Sequence, residues 1–308
     1  MSSFAATSFA LLRLARPKHW VKNAFVFAPL FFSGLFIDLD SVLRTSWAFA
    51  VFCLAASATY VLNDISDVEA DRLHPKKSLT RPIATGQVSI KTAWIFFTIL
   101  VAAIAAMLVP YQQLASLINQ PKAFFGTAVA LQVESLGLVI LTYLALNFAY
   151  SFYLKRLAII DIFAIATGFV LRVFAGAISI SVAVSNWMFV TTLCLALFFA
   201  SMKRLQEVKL HGSSSRAVLE TYTQSFIEKI VLVTGTLTIA FYGIFTLTER
   251  PGFIASIPVV LFAMLRYWHV ADVSGAGESP TDIMVRDKQI LFSGLLLIGI
   301  CVYALTQN

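Results

Sequence analysis

Long apolar stretches constrain this chain more than any other feature. Nine of them, roughly residues 20–37, 46–63, 92–110, 136–154, 158–179, 186–202, 229–248, 252–268 and 289–306, are long enough to cross a bilayer with a hydrocarbon core about 30 Å thick. Lipid offers no partner to a backbone N–H or C=O, so such segments cross as helices. The composition is 59% hydrophobic and 13% charged, with a mean hydropathy of +0.82, which leaves too little polar surface for a soluble domain. An all-α, polytopic membrane protein with nine transmembrane helices is therefore expected, with residues 1–308 forming a single domain. The limits of the fourth helix stay open, because residues 124–131 either extend it or form an interfacial piece before Glu134.

The basic residues give the orientation. Arg13, Arg16, Lys18 and Lys22 precede the first segment; Arg72, Lys76, Lys77, Arg81 and Lys91 lie between the second and third. Lys155 and Arg156 follow the fourth, Lys203, Arg204, Lys209, Arg216 and Lys229 the sixth, and Arg266, Arg286 and Lys288 the eighth. The remaining connections hold only Arg44, Lys122 and Arg250, so nineteen stand against three. By the positive-inside rule the N-terminus and the even-numbered loops face the cytoplasm and the C-terminus faces outside, in the inner (plasma) membrane. The net charge of +7 thus belongs to one membrane face, where it also suits anionic head groups; no nucleic-acid partner is expected. A homo-oligomer is compatible with the sequence but not required by it. No cleavable targeting segment is recognisable, and Cys53, Cys194 and Cys301 sit in apolar segments at no metal-ligand spacing, as packing residues do.

Where the second apolar segment ends, the chain reads NDISDVEAD. Asn63, Asp67 and Asp71 follow i, i+4, i+8 spacing with Asp64 beside them, so a continuing helix would present a row of oxygens on one face. Carboxylates this close repel unless cations neutralise them. Hard oxygen donors of this kind suit Mg²⁺, which is commonly shared between one or two carboxylates and substrate phosphates. A solvated acidic helix end is the plain alternative.

Four further constellations lie on the same predicted face. In RPKHWVKN, Lys18, Lys22 and Asn23 either reach a surface phosphate or anchor the segment by snorkelling. In DRLHPKKSLTRPIATG, Arg72, Lys76, Lys77 and Arg81 follow the acids directly, and acids that hold a metal beside Lys and Arg donors suit a ligand with several phosphates. In the stretch at 150–177, Tyr150, Lys155 and Arg156 mark a turn, while Asp161 and Arg172 lie within an apolar segment and share a face with Gly168. Ionisable residues inside a membrane helix point to a site, the alternative being a structural pairing with neighbouring helices. In SMKRLQEVK, Lys203, Arg204 and Glu207 are site candidates or a solvated helix end.

Taken together, the NDxxDxxxD series after the second segment, the Tyr…Lys turn after the fourth, and the motifs RPKHWVKN, GFVLRVFAGA, MKRLQE and ESPTDIMVRD resemble the UbiA superfamily of intramembrane prenyltransferases, within it the decaprenyl-phosphate phosphoribosyltransferase branch. The resemblance implies a UbiA-type bundle with a cytoplasm-facing active site. It implies Mg²⁺-dependent transfer of the phosphoribosyl group from 5-phosphoribosyl 1-diphosphate to a polyprenyl phosphate, with loss of pyrophosphate, feeding cell-envelope arabinose polymers. Asn63, Asp64, Asp67 and Asp71 would hold the metal, with the three Asp as catalytic residues. Arg72, Lys76, Lys77 and Arg81 would bind the donor's phosphates, Lys18, Lys22, Lys155 and Arg156 the lipid phosphate, and Arg172 or Asp161 would orient the ribose. Aromatic-prenylating members carry a second Asp-rich motif in the sixth-to-seventh loop; here Lys203, Arg204, Glu207, Lys209 and Arg216 stand there instead. That departure favours two phosphorylated substrates. An aromatic prenyltransferase of the same fold and an ion-coupled transporter remain as alternatives.

Overall fold

A computed structural model describes residues 3–73, 77–116, 135–211, 221–274 and 280–306. All its regular structure is helical. The α-helices are α1 (Ser3–Ala15), α2 (Ala28–Ser33), α3 (Leu39–Ser66), α4 (Val68–Leu73), α5 (Lys77–Thr80), α6 (Ile90–Ser116), α7 (Leu136–Phe152), α8 (Ile160–Ser179), α9 (Asn186–His211), α10 (Gln224–Thr248), α11 (Ile257–Ser274), α12 (Pro280–Arg286) and α13 (Lys288–Thr306). Seven helices among the described residues are long and apolar enough to cross a membrane, beginning at Leu39, Ile90, Ile160, Asn186, Gln224, Pro251 and Lys288. α7 is equally apolar but shorter, at 17 residues.

The first predicted crossing is not one regular helix. It runs as a 3₁₀ helix over Pro17–Phe27, then α2, then a 3₁₀ turn over Leu35–Ile37. Local chemistry explains the breaks. Arg16 takes the left-handed conformation, φ 52°, just before Pro17, and Gly34 ends α2 at φ 82°, as left-handed helix ends favour. The 3₁₀ segment lies between α3 and α8. There a Cβ on Gly176 would stand 1.8 Å from the Val26 carbonyl oxygen, so only glycine permits this approach.

Small buried residues let the other helices close up: Ala55, Ala56, Ser57 and Ala58 on α3, and Ala164, Ala166, Gly168, Ala175 and Gly176 on α8. In a membrane such contacts work through van der Waals packing and interhelical hydrogen bonds. Ser57 supplies one such link: it donates to the Ala15 carbonyl at 3.0 Å and accepts from Trp20 Nε1 at 3.1 Å, tying the N-terminal arm to α3. Phe52, Ile140, Tyr143 and Ala175 fill the core between α3, α7 and α8. The predicted extension at 124–131 lies outside the described residues.

Candidate active site

A cavity of about 650 Å³ opens among the 3₁₀ segment and α3, α4, α5, α7, α8 and α9. The acidic series forms one side of it. α3 ends at Ser66 with Asp67 as its cap, but the helical bonding continues: Asp67 N–H donates to Asn63 O at 3.0 Å and Asp71 N–H to Asp67 O at 2.8 Å. The i, i+4, i+8 row therefore survives the break between α3 and α4, and Asn63, Asp67 and Asp71 all line the cavity.

Each carboxylate is met by a base. Lys155 Nζ lies 2.5 Å from Asp67 Oδ1, and Lys77 Nζ 3.2 Å from Asp71 Oδ1. Asp64, just behind the wall and 2% exposed, takes both Arg16 and Arg81 on Oδ1, while its Oδ2 is buried without a hydrogen-bond partner. Arg16 also stacks on Tyr60, its guanidinium carbon 4.8 Å from the ring centre. The loop that carries Lys77 and Arg81 is held from outside by Arg13, whose Nη2 donates to Thr80 O at 2.9 Å.

Three carboxylates and an amide oxygen are hard donors of the type Mg²⁺ takes, and the orphan Asp64 oxygen gives them spare capacity, so these residues fit such an ion. As the side chains stand, no three acid, His or Cys groups among the described residues form a metal-binding set, because each acid is turned onto its base.

Arg172 lines the inner part of the cavity at 6% exposure. Its Nε donates to Asn23 Oδ1 at 2.8 Å, Nη1 to Gly168 O at 2.6 Å and Nη2 to Tyr143 OH at 3.1 Å. Phe52, Tyr143 and Phe169 present their rings 5.0, 5.0 and 5.3 Å from its guanidinium carbon. Among the described residues no carboxylate pairs with it. A buried cation held only by neutral oxygens and ring faces keeps its charge available to an anion.

Among the described residues, the cavity wall carries eight cationic side chains, Arg16, Lys22, Lys77, Arg81, Lys155, Arg156, Arg172 and Lys203, against three anionic ones, Asp67, Glu69 and Asp71. Other predicted site residues fall elsewhere. Lys18 is exposed and outside the wall. Arg72 points to the surface and pairs with Glu69 at 3.2 Å; Lys76 lies outside the described residues. Asn23 stands behind Arg172 as its acceptor.

Asp161, Arg204 and Glu207 do not line the cavity. They form a buried network behind it, which Glu207 also links to the wall residue Lys203 at 3.9 Å. Arg204, 0% exposed, donates through Nε to Asp161 Oδ2 at 2.6 Å, through Nη2 to Tyr150 OH at 2.9 Å, and through Nη1 to Glu207. Tyr222 OH donates to Asp161 Oδ1 at 2.7 Å and accepts from the Ile159 N–H at 2.5 Å. Burial, reinforced by the Asp161 carboxylate, holds the Tyr222 phenol well above its ordinary pKa. Ile159 itself is strained at φ 68°, a conformation that β-branched residues avoid, and the Tyr222 bond helps hold that turn. Of this network, Tyr150 reaches the cavity. Asp161 and Arg172 share α8 but serve separate networks.

Sequence reasoning missed Arg16, Tyr60, Tyr143 and Asn147 as wall residues. Tyr143, Asn147 and Tyr150 recur at helical spacing within an otherwise apolar segment, a signal that was available. Nothing local marks Arg16 as the partner of Asp64, 48 positions away.

Residues 24–280 match the UbiA prenyltransferase family. A Mycobacterium tuberculosis protein named decaprenyl-phosphate phosphoribosyltransferase is 34% identical, with 94% of this chain and 92% of that protein covered. A Corynebacterium glutamicum protein of the same name is 31% identical over 90% and 81% of the two chains. Among solved structures, a UbiA homolog from Archaeoglobus fulgidus bound to GPP and Mg²⁺ superposes with a TM-score of 0.68 at 19% identity, covering 96% of this chain and 99% of that one. With its family match, its close relatives and its fold in agreement, this chain belongs to the UbiA prenyltransferase family.

Proposed function

We propose that the chain is a membrane-embedded phosphoribosyltransferase that moves the 5-phosphoribosyl group of 5-phosphoribosyl 1-diphosphate onto a polyprenyl phosphate of the decaprenyl type. The observation that carries this reading is the surplus of positive charge in the cavity, eight cations against three anions among the described residues of the wall, a surplus that Asp64 behind Arg16 and Arg81 reduces but does not cancel. A cavity with such a surplus of positive charge attracts anions, and two phosphorylated substrates bring more negative charge than one prenyl diphosphate with an aromatic ring.

In the reaction, the bond from the anomeric carbon to the diphosphate oxygen breaks and a bond to an oxygen of the lipid phosphate forms. Pyrophosphate leaves with the electron pair. The lipid phosphate is already ionised, so no general base is required. Asn63, Asp64, Asp67 and Asp71 would hold Mg²⁺, which supplies charge stabilisation to the departing diphosphate. Lys155, Lys77, Arg16 and Arg81, which pair with these acids, would be the groups placed to meet phosphate oxygens within the same cavity. Fixed cations at the leaving group are worth several kcal/mol of barrier in a water-poor site. Arg172 is placed to bind a third anionic group, with Asn23, Gly168 and Tyr143 fixing its fork. Lys22, Arg156 and Lys203 complete the anion-binding wall.

The whole chain acts as one domain in this reading. It crosses the inner membrane nine times, with α7 and the broken segment at 17–37 added to the seven long helices, and the site faces the cytoplasm. Nineteen basic residues on the alternate connections support that orientation.

The test is direct. Purified protein given Mg²⁺, decaprenyl phosphate and phosphoribosyl diphosphate labelled in the ribose should yield lipid-extractable label and pyrophosphate in equal amounts. Label that stays in water, beside a prenylated aromatic product in a parallel reaction, would overturn the proposal.

A further inference from the structure

Among the described residues, Tyr150 brings a hydroxyl of the buried charge network behind the cavity to the cavity wall, which Lys203 also meets through Glu207 at 3.9 Å. Arg204 Nη2 donates to the Tyr150 oxygen at 2.9 Å, and a guanidinium cannot accept. That bond occupies a lone pair of the phenol, so its O–H points away from Arg204, and Tyr150 lines the cavity. The guanidinium is fixed in turn. Asp161 holds Nε at 2.6 Å and Glu207 holds Nη1, while Tyr222 locks the other oxygen of Asp161 at 2.7 Å. Arg204 is 0% exposed, so no substrate phosphate reaches it.

We infer that Arg204 is a positioning residue: it presents the Tyr150 hydroxyl as a one-way hydrogen-bond donor to a phosphate oxygen in the cavity. The basic character of this stretch of α9 therefore acts through tyrosine and not by touching an anion. The inference takes its ligand class, a phosphate group, from the reading proposed above. Asp67, and Lys155 five positions from Tyr150, line the same cavity.

A double-mutant cycle on the detergent-solubilised full chain tests this, with binding of inorganic pyrophosphate in excess Mg²⁺ measured by titration calorimetry. Tyr150→Phe should weaken binding about tenfold, the scale of one hydrogen bond to a charged acceptor. Arg204→Lys, which keeps the charge and loses the fork, should weaken it by a similar factor, and the double variant should be no weaker than either single one. Multiplying losses, an unaffected Tyr150→Phe protein, or a wild-type chain that binds no pyrophosphate would each overturn the inference. If Arg204→Lys does not fold, Asp161→Asn, which keeps shape and an acceptor oxygen while removing the charge that fixes Nε, goes through the same cycle with the same criteria. Turnover is not part of this readout, so failure of the phosphoribosyl-transfer reading is seen separately in the labelled-ribose assay.

Discussion

Two sets of ion pairs in this molecule use the same residue types under opposite conditions. At the cavity, Asp67 and Asp71 are each held by a lysine that is itself 19% or 35% exposed, and one oxygen of the neighbouring Asp64 is left without a partner. Behind the cavity, Arg204 and Asp161 are both 0% exposed, and Arg204, Asp161 and Tyr222 close on one another. In the proposed reading the first set is exchangeable, since a cation and a phosphate arriving together would offer each group a replacement partner. The second is not, because breaking one pair strands a charge in a medium that cannot solvate it. In the proposed reading, charge that does chemistry stands at the wall and charge that sets geometry stands behind it.

Substitutions can break that contrast. The largest expected effect is on activity at the wall: Asp67→Asn and Asp71→Asn should each lower phosphoribosyl transfer by about a hundredfold or more, as loss of one fixed electrostatic element in a dry site does, while the melting temperature stays close to that of the wild type. Behind the wall the pattern inverts. Arg204→Leu should cost about 3–5 kcal/mol of stability, the usual result of breaking a buried pair on one side, read as a large fall in melting temperature in detergent. Equal stability losses at both places would erase the distinction.

Arg172 sharpens it, because it is as buried as the second set yet placed like the first. Held by neutral acceptors with no carboxylate partner among the described residues, it leaves no stranded anion when removed. Arg172→Leu should therefore raise the KM for a phosphorylated substrate about tenfold, the scale of a hydrogen bond to a charged group, with little change in melting temperature. A large loss of stability would make it structural.

The smallest effect belongs to an ion pair away from both. Asp287 caps α13 through the Gln289 and Ile290 N–H groups at 3.1 and 3.0 Å and meets Arg266 at 2.9 Å. The Arg266 side chain and these N–H groups hold its carboxyl below the ordinary range. A depressed carboxylate stabilises the fold above the unfolded pKa of about 4 and loses that contribution as pH falls through the folded value. Asp287→Ala should cost about 1 kcal/mol at neutral pH, as loss of an N-cap does, and the difference from the wild type should shrink in acid.

Apolar length made the fold class and most helices legible, and α7 begins where the apolar run predicts, at Leu136. The first segment is apolar enough to read as a helix, but Arg16, Pro17, Pro29 and Gly34 break it into short pieces, and their combined effect depends on packing against α3 and α8. The acid row was readable because its spacing is local and helical. The burial of Arg204 was not: a basic residue at the end of an apolar run reads as a site candidate or a solvated helix end, and its partner Asp161 lies 43 positions earlier. Asp161 and Arg172 read as one face of one helix, yet neighbouring helices α9 and α7 draw them into different networks.

The central claim is that the cavity holds two phosphorylated substrates at once. Geranyl phosphate titrated into the protein saturated with Mg²⁺ and a non-transferable carbocyclic analogue of phosphoribosyl diphosphate tests this most directly. The account predicts a ternary complex, with the lipid phosphate binding at least as tightly as it does to the analogue-free protein. Mutually exclusive binding, each ligand displacing the other, would contradict it.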